Sequence, residues 1–134
     1  MTNKEKIQHW INLSNYDMET AEAMLQTKRY LYVGFLCHQT VEKIFKAVYS
    51  KYKEETPPYT HKLVYIARQS DFYEKFSEMQ KQFIDQLDPL NIKTRYLDYK
   101  NELAKKLTHA KCVELLSKTK DLQQWTKENL LLVK

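Results

Sequence analysis

The 134-residue chain sets 22 Lys and Arg against 17 Asp and Glu, a net charge of +5, and is 43% apolar and 13% aromatic. That suffices for one domain with a true core, because a chain of this size buries roughly two-thirds of its unfolded surface. One Gly and three Pro exclude a turn-rich β fold, and no run approaches the roughly 18 apolar residues of a membrane span.

The first helix is predicted over residues 4–27, capped by Thr2 or Asn3. Its apolar stripe is Trp10, Leu13, Ala21, Met24 and Leu25, in steps that a helical period of about 3.6 residues can align. Asp17 lies on the same face, so it belongs at the bundle edge or beside a buried donor. The second helix covers residues 30–53 and is apolar over a wide arc, from Leu31 and Phe35 to Val48 and Tyr52. That breadth predicts the central helix, and Gly34 inside it predicts a close helix approach. Pro57-Pro58 ends it, since proline disfavours helical geometry in the residue before it.

Thr60 reads as the cap of a short third helix carrying Leu63, Val64 and Ile66. A fourth is predicted from Ser70-Asp71, with Phe72, Phe76, Met79, Phe83 and Leu87 on one face and Pro89 closing it. The last helix starts near Asp98 or Asn101 and carries Leu103, Leu107, Ala110, Val113 and Leu116 on to about residue 129. Beyond it the apolar tail Leu130-Leu131-Leu132-Val133 needs cover, from this chain or a neighbour. No repeat, linker or low-complexity stretch interrupts the pattern, so residues 1–134 read as a single all-α domain.

The opening Met-Thr-Asn-Lys-Glu-Lys lacks the apolar stretch of a secretory signal. Cys37 and Cys112 sit among apolar neighbours without metal-site or redox-motif spacing. Both facts predict a soluble cytoplasmic protein with buried free thiols. His9, His38, His61 and His109 show no helical pairing, so no metal site is expected. A chain with one glycine cannot build a phosphate-cradling glycine loop, and no cofactor is implied. The basic excess is mostly lysine, which gives diffuse attraction to polyanions and little bidentate reading.

Two segments carry possible chemistry. On the second helix, His38, Gln39 and Glu42 interrupt an apolar surface and form a structural network with Asp17 or Arg95, while Lys43 and Lys46 could line an anion-binding groove. The second segment is Thr94-Arg95-Tyr96-Leu97-Asp98-Tyr99. Its arginine could hold a phosphate bidentately, beside a tyrosine that can stack a base and helix-start amides that favour anions. Equally, Arg95 could pin the loop to Glu42 or Asp17.

These segments resemble the HEPN domain family. The match lies in Phe35, His38, Gln39, Glu42, Lys43, Lys46 and Ala47, then Thr60, His61 and Leu63, then Thr94, Arg95 and Tyr96, with Ala104 and Ala110 in the closing helix. The resemblance spans roughly residues 10–122. It implies an antiparallel four- to five-helix up-and-down bundle, like the substrate-binding subunits of nucleotidyltransferases. It implies a homodimer that acts beside a small nucleotidyltransferase, in some members as a toxin with its antitoxin. Many members are metal-independent ribonucleases with an arginine followed four to six residues later by a histidine. After Arg95 no histidine occurs until His109, and Leu97 stands where the family usually has proline. The general acid or base of that reaction is therefore missing from its usual place. The expectation is a non-catalytic module that binds a nucleotide or RNA phosphate through Lys43, Lys46, His61, Thr94, Arg95 and Tyr96. The alternatives are a ribonuclease with a displaced histidine and a purely structural dimerisation scaffold.

Overall fold

The structure, a computed structural model, describes residues 1–91 and 97–132, with side chains described from residue 101 onward in the second stretch. Helix α1 (Asn3–Gln26) opens on a capping box: the Thr2 hydroxyl accepts from the Glu5 amide and the Glu5 carboxylate from the Thr2 amide, both at 3.1 Å. Such reciprocal caps satisfy amides that the first turn leaves without partners. Three residues separate it from α2 (Tyr30–Lys53), so the two lie antiparallel along one another. The other helices are α3 (Leu63–Gln69), α4 (Glu78–Leu87), α5 (Leu97–Lys106) and α6 (His109–Thr126). Tight helical turns at Tyr73–Lys75 and Asp88–Leu90 flank α4, and a wider turn at Lys127–Leu131 prolongs α6. Among the described residues there is no strand, and no helix is long and apolar enough to cross a membrane.

Helix α2 is the centre, as its apolar arc predicts. It packs against all the other helices, and Val33, Cys37, Val41, Ile44, Phe45 and Val48 are fully buried. Phe45 meets Phe72 and Phe76 at ring separations of 5.3 and 5.4 Å. At Gly34 the close neighbour is a side chain and not another helix: a β-carbon there would lie 3.1 Å from Cδ1 of Leu107, just past the end of α5.

Three predicted helices differ from what forms. Thr60 does not cap α3, which starts at Leu63 after Lys62; the Thr60 hydroxyl instead accepts from the Lys62 amide at 3.2 Å. Phe72 and Phe76 are buried, but they precede α4, which starts only after Ser77; the Ser77 hydroxyl accepts from the Gln80 amide at 3.1 Å and Met79 is 81% exposed. The last predicted helix is two. Thr108 adopts extended geometry and its hydroxyl accepts from the Lys111 amide at 3.2 Å, starting α6 afresh. Helical periodicity carried across a capping residue conceals such a break. Replacing Thr108 with alanine is expected to cost about 1 kcal/mol, read by urea unfolding.

The apolar tail finds cover within the chain as far as Leu131, with Leu130 and Leu131 buried and Leu132 exposed. Cys37 and Cys112 are buried free thiols, and burial pushes Cys37 up to about 12 and Cys112 to about 11 from an ordinary value of 9.0. Because the folded values lie above the unfolded one, their contribution is complete below about pH 9 and fades as pH rises toward the folded values. Urea midpoints are therefore expected to fall from pH 9 to pH 11, and by less in a Cys37→Ala, Cys112→Ala protein.

Candidate functional site

Polar residues of α2 at positions 38 and 42, and at 39, 43 and 46, are spaced by three and four and so form two adjacent rows along the helix. Together the rows look toward α1, toward the segment entering α3, and toward the turn after α4. Glu42 is the hub, only 2% exposed. Its Oε2 accepts from Lys46 Nζ at 3.1 Å and its Oε1 pairs with His61 Nδ1 at 2.8 Å. A buried carboxylate requires such partners, since desolvation alone would force its protonation. Lys46 is buried as well and packs over the Trp10 ring at 5.4 Å.

A second chain of contacts runs beside the first. Lys43 Nζ donates to Asp17 Oδ2 at 3.2 Å and to Gln39 Oε1 at 2.9 Å. Gln39 Nε2 donates to Asn91 Oδ1 at 3.2 Å and lies 3.4 Å from His38 Nδ1. His38 is fully buried, and its Nε2 faces Asp88 Oδ1 at 3.7 Å without forming a hydrogen bond. The same Asp88 oxygen accepts from the first amide of α3, that of Leu63, at 3.4 Å.

Both chains end at a surface groove of about 670 Å³, lined by Thr60, His61, Lys62, Val64, Tyr65, Asp88, Pro89 and Asn91. His61 is about half exposed there, and Tyr59 at the rim is almost wholly exposed, its ring 6.0 Å from the imidazole. The groove thus joins an imidazole seated on a buried carboxylate, a carboxylate backed by a buried imidazole, one rim cation in Lys62, and two exposed tyrosines.

The structure connects Asp17, His38, Gln39 and Glu42, the four residues read as a polar network, through Lys43 and direct contacts. Of the residues read as ligand contacts, His61 lines the groove, whereas Lys43 and Lys46 stand behind it, each paired with a carboxylate. Thr94, Arg95 and Tyr96 lie outside the described residues. Sequence reasoning passed over Asp88 and Asn91. Asp88-Pro89 reads as the end of a helix, and only the fold brings it to His38, fifty positions back. Among the described residues no cluster of three or more His, Cys, Asp or Glu could hold a metal ion.

The HEPN domain model matches residues 7–130, which includes both contact chains and the groove. The fold resembles the crystal structure of the protein TT1696 from Thermus thermophilus, with a TM-score of 0.78 at 17% identity, over 92% of this chain and 97% of that one. At that identity the likeness is one of fold. No curated protein is significantly similar to the chain.

Proposed function

The chain belongs to the HEPN domain family, and from that premise we propose that it is a non-catalytic module that binds a nucleotide or an RNA phosphate. In this reading it works as a cytoplasmic homodimer beside a small nucleotidyltransferase. The observation that carries the reading is His61, half exposed in the groove and held from behind by Glu42 at 2.8 Å. An imidazole fixed on a buried acid is a preorganised contact for a polar ligand. Lys62 at the rim supplies positive charge for a phosphate, and the exposed rings of Tyr59 and Tyr65 are surfaces on which a base can stack. Thr94, Arg95 and Tyr96, which follow Asn91 closely in sequence, complete the proposed phosphate contact. Lys43 and Lys46 act indirectly, by holding the groups that face the ligand.

Calorimetric titration with AMP and with oligoriboadenylate in EDTA tests the proposal. Binding is expected for at least one of them, and Arg95→Ala should weaken it about tenfold, as loss of a charged hydrogen-bond donor does, with the unfolding midpoint unchanged. An Arg95→Ala protein that binds normally, or a wild type that binds neither, contradicts it.

A metal-independent ribonuclease is the second reading, favoured by one observation. His61 on Glu42 is also the arrangement of a general base held by an acid. RNA cleavage in EDTA that disappears in His61→Ala would establish it in place of the first.

A further inference from the structure

The two contact chains behind the groove carry a proton order that follows from their donors and charges. A lysine ammonium only donates and an ionised carboxylate only accepts. The Lys46 ammonium 3.1 Å from Glu42 Oε2 favours the ionised carboxylate, so the proton shared at 2.8 Å between Glu42 Oε1 and His61 rests on His61 Nδ1. Neutral His61 then presents a bare Nε2 lone pair, and this nitrogen has no partner among the described residues. On the other chain Lys43 donates to Gln39 Oε1, which fixes the amide so that its Nε2 faces both Asn91 Oδ1 and His38 Nδ1. His38 Nδ1 faces the Gln39 amide donor at 3.4 Å, nearer than the Glu42 Oε1 acceptor at 3.8 Å, which makes that nitrogen the acceptor and leaves the proton on His38 Nε2, buried, unpartnered and 3.7 Å from Asp88 Oδ1.

We infer that Lys43 and Glu42 are positioning residues that hold the two histidines in opposite tautomers, so that the groove offers both His61 Nε2 and the Asp88 carboxylate as acceptors and selects a ligand that donates hydroxyls, namely a ribonucleotide rather than its deoxy counterpart. The inference rests on the proposed nucleotide-binding reading and deepens it. The sugar hydroxyl donates to His61 Nε2 or to Asp88, the phosphate meets Lys62 at the rim, and an exposed tyrosine ring is left for the base. A 2′-deoxy sugar would leave an acceptor without its donor, the kind of mismatch that polar sites discriminate best.

Long-range nitrogen–proton correlation of the imidazoles in the free protein, at a pH where both are neutral, tests the order without any ligand. His61 is expected as the Nδ1–H form, against the Nε2–H preference of free histidine, and His38 as the Nε2–H form. Finding His61 mainly as Nε2–H overturns the inference whatever binds. Glu42→Gln should return His61 toward the free-histidine mixture. Should that variant fail to fold, Lys43→Met provides the second test, since Asp17 is partly exposed and tolerates the loss; it should shift His38 and leave His61 unchanged. In parallel, oligoriboadenylate is expected to bind about tenfold more tightly than oligodeoxyadenylate, and His61→Phe should abolish the difference. Equal binding of the two overturns the ligand class while leaving phosphate binding intact. Binding of neither overturns the ligand class and the proposed function together, and the tautomers then stand or fall on the correlation spectrum.

Discussion

Replacing Glu42 by alanine is expected to lower the unfolding free energy by about 3 to 5 kcal/mol, the usual cost of removing one partner from a buried ion pair. The carboxylate is the shared acceptor for Lys46 and His61, and Lys46 has a side chain only 7% exposed. Without Glu42 that ammonium keeps the face of Trp10 at 5.4 Å but loses its counter-charge. A domain of this size has about 5 to 15 kcal/mol in total, so the loss takes a large share. Glu42→Gln should cost less, because an amide oxygen still accepts from one of the two donors. Thermal and urea unfolding followed by circular dichroism check both. An alanine variant within about 1 kcal/mol of wild type would mean that Glu42 is not the hub of the polar interior.

His61→Ala should behave in the opposite way, with a small effect on stability and a large one on binding. The imidazole is half exposed, and Glu42 keeps Lys46 when it is removed, so a stability loss of about 1 kcal/mol is expected, that of one hydrogen bond. Affinity for oligoriboadenylate should fall about tenfold, the equivalent of about 1.4 kcal/mol and the upper end for a hydrogen bond between neutral groups. Anisotropy of a labelled oligonucleotide gives the affinity and urea unfolding gives the stability. The reverse pattern, a destabilised protein with unaltered binding, would assign His61 a structural role.

The central position of α2 was legible in the sequence because apolar residues cover most of its circumference, and the polar exceptions His38, Gln39 and Glu42 marked where partners had to converge. Thr2 punctuated the chain as its chemistry requires, whereas α2 ends at Lys53 on a left-handed Glu54, before Pro57 is reached. Other features depend on tertiary neighbours that no local pattern reveals. Phe72 and Phe76 keep a helical spacing with Phe83 while lying outside α4, because the ring of Phe45 organises them. Thr108 interrupts an unbroken apolar periodicity by capping α6. Lysines 43 and 46 look on a helical wheel like an anion-binding pair, yet Asp17 engages Lys43 at a partly buried edge and Glu42 engages Lys46 in the interior. Asp88 and Asn91 carry no motif, and they enter the groove only because the turn after α4 ends against α2.

The most direct test of the groove as the binding site is to map amide chemical shifts while oligoriboadenylate is added to the labelled protein. The expected perturbations cluster on residues 60–65 and 88–91, with smaller ones at His38 and Glu42 behind the groove wall. Perturbations gathered instead on the groove between α4 and α6, around Phe83, Leu122 and Trp125, or no perturbation at saturating RNA, would contradict the account.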